Sequence, residues 1–168
     1  NKDEKTIIHN ETSTTQENPI SVITSERGYS FRVRDKRAYY HGYLANVSAS
    51  LAKFGVNVKH NINVSDSLRF FISPEDFDKL ELVEADIREK YEDAIVNKFE
   101  VVAIGHLGES IIGRIGTAAE ITKSLADHDI NIIDQFPGGG EEPAYITYID
   151  PALEMEGVKA QYETFKPN

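Results

Sequence analysis

Gly42-Tyr-Leu-Ala-Asn-Val-Ser-Ala-Ser-Leu-Ala-Lys-Phe-Gly-Val-Asn-Val58 returns 74 residues later, without a gap, as Gly116-Thr-Ala-Ala-Glu-Ile-Thr-Lys-Ser-Leu-Ala-Asp-His-Asp-Ile-Asn-Ile132. Gly42/Gly116, Ala45/Ala119, Ser50/Ser124, Leu51/Leu125, Ala52/Ala126 and Asn57/Asn131 are identical. Val47/Ile121, Val56/Ile130 and Val58/Ile132 exchange one apolar side chain for another. Self-similarity at a fixed offset sets the architecture before any local signal does. Two copies are too few for a solenoid, so the chain reads as two related modules.

Each copy has the pattern of a short helix. In the first, Leu44, Val47, Leu51 and Phe54 fall on one helical face. Gly42 opens it, Gly55 closes it, and Val56-Asn57-Val58 starts a strand. Upstream, Ile20–Ser25 and Tyr29–Asp35 read as antiparallel strands joined by a turn at Arg27-Gly28, and Thr6-Ile7-Ile8 as an added edge strand. Downstream, Val64–Ser67 is a turn, Leu68–Ile72 a strand, and Ser73-Pro74-Glu75-Asp76 a helix start with Ser73 as its cap. Phe77, Leu80, Leu82, Val83 and Ile87 form the apolar face of that helix, and an irregular bridge leads to Lys98.

Around the second copy, Phe99–Ile104 is a strand and 105–116 a glycine-rich loop. A helix follows over 117–128, then strands over 131–135 and 144–149, a turn over 137–143, and a last helix over 151–165. Each module therefore runs strand, glycine loop, helix, strand, turn, strand, helix. That is the order of the ferredoxin-like βαββαβ unit, with one final strand lent by a neighbour. The expected class is α+β: two such modules with antiparallel sheets and helices on one face. The expected division is a linker over 1–19, a first module over 20–98 and a second over 99–168, whose last strand and helix are free to complete the first.

Bulk chemistry narrows the function. A formal net charge of −10 opposes nonspecific binding to nucleic acid phosphates and to anionic membranes. The chain has no Cys, hence no disulfide, thiolate metal site or Cys nucleophile. No apolar run approaches the ~20 residues of a membrane span, and Asn-Lys-Asp-Glu-Lys at the start is not a signal peptide. The five His have no metal-ligand spacing. Gly138-Gly139-Gly140 is followed by no Lys-Ser/Thr, which makes it a hairpin loop and not a phosphate loop. Tyr39-Tyr40-His41 reads as interface packing or a ligand lid, and the acidic stretch 75–92 as a solvated helix face.

Ile20-Ser-Val-Ile-Thr-Ser, the segments 41–45 and 51–58, and Val101-Val-Ala-Ile-Gly-His106 ahead of the second copy together resemble the regulatory region of aspartokinases, a tandem pair of ACT domains. The resemblance covers about 20–165. It implies a non-catalytic module that binds an end-product amino acid (lysine, threonine or another), forms a homodimer and passes inhibition to an N-terminal kinase domain. That kinase would transfer phosphate from ATP, with Mg, to the side-chain carboxylate of aspartate, in the cytoplasm. The kinase motifs are absent here, so the fragment itself needs no cofactor. Without an initiator Met, it is expected to be a piece of such a longer protein.

The repeat also defines candidate effector sites. A Gly ahead of a helix admits close backbone approach, and the free first-turn amides suit a carboxylate. The first site is read as Gly42, Tyr43 and Leu44 facing Asn57, Val58 and Lys59. The second is Gly116, Thr117 and Ala118 facing Asn131, Ile132 and Ile133, with Gln135 nearby. Asn57 and Asn131 fit ligand contact and turn capping equally. Lys59 stands where lysine-sensitive relatives carry Asp, and it would repel an ammonium group. Either the ligand is not lysine, or the site is degenerate and serves dimerisation.

Overall fold

The computed structural model describes residues 6–9, 20–111, 114–138 and 144–166. Its elements in chain order are β1 (Thr6–His9), β2 (Val22–Arg34), α1 (Tyr43–Lys53), β3 (Val58–Val64), β4 (Ser67–Ile72), α2 (Leu80–Lys90), β5 (Ile95–Leu107), α3 (Thr117–Ala126), β6 (Asp134–Pro137), β7 (Ala144–Ile149) and α4 (Glu154–Phe165). The chain divides into two compact units, Gly28–Glu100 and Asn1–Arg27 with Val101–Asn168. Both divisions fall inside a long strand, β2 or β5.

Gly28–Glu100 is a βαββαβ module with strand order β3-β4-β2-β5. Phe31 and Val33 of β2 and Leu68, Phe70 and Ile72 of β4 alternate onto one face of its sheet, where Val47, Leu51, Leu80, Val83 and Ile87 of the helices cover them. Phe77 and Leu82, expected on the buried helix face, are 39% and 56% exposed. Phe77 lies in a 3-10 turn, Pro74–Lys79, which shifts its phase, and Leu82 falls off the face of α2 that Leu80, Val83 and Ile87 bury. Ser73 makes no side-chain cap, and its hydroxyl is buried without a partner.

The other unit holds the second copy in the strand order β2-β5-β7-β6. Its fourth strand is the first half of β2, which comes from ahead of the other module. Ile20 and Ile23 join Val102, Ile104, Ile121, Leu125, Ile149 and Val158 in one core. The segment 20–27, expected in the first module, thus packs with the second copy. The last strand and helix stay there too. Glu154, at the start of α4, receives hydrogen bonds from the Ser25 hydroxyl and the Arg27 Nε, both at 2.7 Å. β1 pairs antiparallel with β2, from Thr6 opposite Ser25 to His9 opposite Val22.

No turn forms at Arg27-Gly28, because β2 is one unbroken strand. Gly28 serves close approach instead: a Cβ there would lie 2.6 Å from the Ile72 carbonyl oxygen and from the Phe71 ring. β5 likewise starts at Ile95, where an irregular bridge was expected, and runs through Gly105 to Leu107. β6 starts at Asp134, later than the expected Asn131. The expected linker over 1–19, apart from Thr6–His9, and 139–143 of the expected glycine turn lie outside the described residues.

Candidate functional site

The two copies are one structure as well as one sequence. Gly42 and Gly116 precede their helices at φ 82° and 97°, a left-handed conformation that glycine adopts without strain. Asn46 N donates to Gly42 O at 2.9 Å, and Glu120 N to Gly116 O at 3.0 Å. Val47 and Ile121, Leu51 and Leu125, and Val56 and Ile130 are buried in matched places. Neither helix has a side-chain cap, and nothing lies within 4 Å of the Cβ that either glycine lacks. Each helix start therefore lacks a side-chain cap; at α1 the first amide, Tyr43 N, already donates to Tyr40 O at 3.2 Å, which leaves the later first-turn amides for an acceptor.

The remaining candidate residues do not gather around these openings. Tyr43 and Thr117 turn into their cores at 3% exposure. Leu44 is half-buried, Ala118 is exposed, and Asn57, Lys59 and Asn131 are exposed too. Strand register shows the separation. β2 ends with Arg34 opposite Ser67, itself opposite Val64, whereas Val58 pairs with Ile72, opposite Tyr29. The chain leaves the Arg34 end, runs down α1 and re-enters at Val58. Asn57, Val58 and Lys59 thus lie at the far end of a helix about 16 Å long from Gly42, Tyr43 and Leu44.

The second copy repeats this. β5 ends with Leu107 opposite Ala144, whereas Ile133 N donates to Tyr148 O at the other end of β7. Asn131, Ile132 and Ile133 are thus remote from Gly116. Gln135 sits mid-strand opposite Thr147. The expected facing of helix start and strand start does not occur inside a module, because a parallel βαβ crossover returns the chain to the starting end of the sheet.

Other side chains occupy these places, and residue spacing gave little sign of them. At the α1 opening, Asp35 accepts from the Arg37 backbone N at 2.7 Å and from its guanidinium at 2.8 and 2.5 Å. Those Arg37 bonds hold the Asp35 carboxyl below the usual carboxylate range. The guanidinium lies 4.9 Å from the centre of the Tyr91 ring, whose hydroxyl accepts from Asn46 Nδ2 at 2.9 Å. At the α3 opening, Arg114 grips Glu120 through two nitrogens at 2.8 and 3.0 Å and donates to Thr117 Oγ1 at 3.3 Å. Each module thus sets a guanidinium beside its uncapped helix start. At the far end of α1, Asp76 accepts from the Asn57 backbone N at 2.8 Å and from Lys79 Nζ at 2.5 Å. Asn57 is held by this carboxylate, which read in sequence only as a helix-start acid. None of the helices in the described residues is long and apolar enough to cross a membrane.

No protein-family model and no curated protein matches the sequence. Solved structures do match the fold. Clostridium acetobutylicum aspartate kinase superposes with a TM-score of 0.81 at 17% identity, over 94% of this chain and 36% of that one. This chain therefore spans about a third of that enzyme's length. The regulatory subunit of aspartate kinase from Thermus flavus gives 0.72 at 13% identity, over 88% of this chain and 99% of that one. Aspartokinase III of E. coli, in its complex with lysine and aspartate, gives 0.69 at 16%, over 91% and 35%. The chain has the two-module fold of aspartate kinase regulatory regions.

Proposed function

We propose that the chain is the non-catalytic regulatory region of an aspartate kinase, binding an end-product amino acid at its ACT modules. One observation carries this: two uncapped helix starts, 74 residues apart, each opened by a left-handed glycine with free space beside it. Such a start offers amide donors and a positive dipole end to a carboxylate. Since helix start and strand start are at opposite ends of a module, a full cleft takes its second wall from another chain. Effector binding and homodimerisation are then one event. The partner domain is an N-terminal kinase of the same cytoplasmic protein, which brings ATP and Mg.

Lys59, exposed at the first strand start, disfavours lysine there. Threonine, methionine or lysine at the second copy fits better. Calorimetric titration with each amino acid, at concentrations where sedimentation shows a dimer, tests this reading. Heat with at least one of them is expected, and Gly116→Val should weaken it at least about tenfold by filling the approach. No heat with any of them removes the sensing role and leaves an oligomerisation module. A strict monomer in sedimentation, with and without amino acids, removes dimerisation as well.

A further inference from the structure

The helix-facing side of the sheet built from β5, β7 and β6 carries a buried polar chain that runs from sheet to helix, through places where the other unit has Val33 and Ile87. His106 is 0% exposed, packed between the Tyr145 and Phe165 rings. Its Nδ1 is 3.0 Å from Tyr145 O and its Nε2 3.0 Å from Gln161 Oε1. Gln161, also 0% exposed, places Nε2 3.0 Å from Ile121 O and 2.6 Å from Ser124 Oγ on α3. In Gly28–Glu100 the matched places hold Val33, Ile87 and Ser50; there Ser50 donates to Asn46 O of its own helix and accepts from Lys90 Nζ of α2 at 3.0 Å, while Val33 and Ile87 are apolar.

Both ring nitrogens of His106 face an oxygen, yet a neutral imidazole has one N–H to give. Burial lowers the ring's pKa to about 4, so one proton is what it holds at neutral pH. Two arrangements satisfy the heavy-atom positions. In one, Nε2–H donates to Gln161 Oε1, and Gln161 Nε2 donates to Ile121 O and Ser124 Oγ. The bare Nδ1 then faces Tyr145 O. In the other, Nδ1–H donates to Tyr145 O, and the Gln161 amide is turned over. Its NH2 donates to the bare Nε2, the Ser124 hydroxyl donates to its oxygen, and that oxygen faces Ile121 O. Each arrangement carries one acceptor-to-acceptor contact at 3.0 Å, against Tyr145 on β7 or against Ile121 on α3.

We propose that His106, Gln161 and Ser124 form a two-state hydrogen-bond switch, present in one module only, that ties the position of α3 to the β5–β7 ladder. The first arrangement draws α3 toward α4 through Ile121 O. The second pushes that carbonyl away and tightens the ring on β7. A shift of α3 at its open N-terminus biases the pair, and the pair biases α3 in return. The regulatory use of the switch rests on the effector reading above; the two states themselves do not.

The test is nitrogen-15 NMR of histidine-labelled full-length chain at pH 7, with His106 assigned from His106→Asn. Expected are ring nitrogen shifts between those of the two pure tautomers, with the minor form at about 10% or more. Ser124→Ala should move the ratio at least about threefold. A single tautomer in the wild type, or a ratio unmoved by Ser124→Ala, overturns the proposal. L-Lysine and L-threonine are added separately. Calorimetric heat from either one with an unchanged ratio overturns the regulatory use. Absence of heat with these two and with L-methionine removes the effector reading, and the wild-type ratio still decides the switch.

Discussion

Gly55 and Asp129, 74 residues apart, hold the same left-handed turn at φ 65° and 57°. Behind them Val56 N donates to Leu51 O and Ile130 N to Leu125 O, each at 3.0 Å. Gly55 N and Asp129 N reach Ala52 O and Ala126 O, also at 3.0 Å. Both copies thus end their helix in a Schellman motif, one with the usual glycine and one with an aspartate. An aspartate tolerates this conformation at some cost. Asp129→Gly should therefore leave stability unchanged or raise it by a few tenths of a kcal/mol, while Gly55→Ala should lower it by about 1 kcal/mol. Urea unfolding of both variants measures the asymmetry, and equal losses would contradict it.

Gly28 lets β2 pass close to Phe71 and Ile72 of β4. A methyl group there meets the Ile72 carbonyl oxygen, which is backbone and cannot swing aside. Gly28→Ala should cost about 1–3 kcal/mol, the range for forced overpacking. Gly42→Ala has open space beside it, so its cost should be limited to the left-handed backbone, about 1 kcal/mol. Thermal or urea unfolding should rank the two in that order.

Asp86 is 5% exposed and lies between α1 and α2 with Lys53 Nζ and Lys90 Nζ both at 2.5 Å. The hydrogen bond from Lys53, then those from Lys90 and Ser50, hold its carboxyl far below the usual range. A depressed folded pKa gives stability that is complete above the unfolded value, about 3.9, and fades as pH falls below it. Asp86→Asn should cost about 1–2 kcal/mol at pH 7, discounted because both lysines are half in solvent. The gap from wild type should shrink steadily below pH ~4. A gap that stays constant from pH 7 to 3 would show that the charge is not what matters.

Glu154 ties segment 20–27 to the last helix within the unit that holds the second copy. It lies one offset from Leu80, which fills the corresponding place in Gly28–Glu100 with apolar packing. Glu154→Ala leaves the Ser25 hydroxyl, at 0% exposure, without an acceptor and should cost about 2–3 kcal/mol. Ser25→Ala with Glu154→Leu removes both polar partners and should return to within about 1 kcal/mol of wild type. Hydrogen exchange at 22–27 should rise in the single variant and recover in the double.

The sequence by itself determined the repeat and the parts of the fold that depend on neighbours along the chain. Helix starts at Gly42 and Gly116, the stop at Gly55, and the strands at Leu68–Ile72 and 144–149 all follow from residue chemistry over a few positions. So does the resemblance to aspartokinase regulatory regions, which the solved structures bear out at the level of fold. What only the tertiary structure decided is where distant segments meet. The first half of β2 reads as a strand in sequence, but nothing local says that it pairs with β5 and not with its own module. Gly28 reads as a turn because glycine permits one, and only the carbonyl of Ile72 shows that it is there for close approach. The candidate clefts failed as self-contained sites for the same reason. Asn57 follows Gly42 closely in sequence, yet a helix of about 16 Å stands between them, and proximity along the chain is not proximity across a crossover.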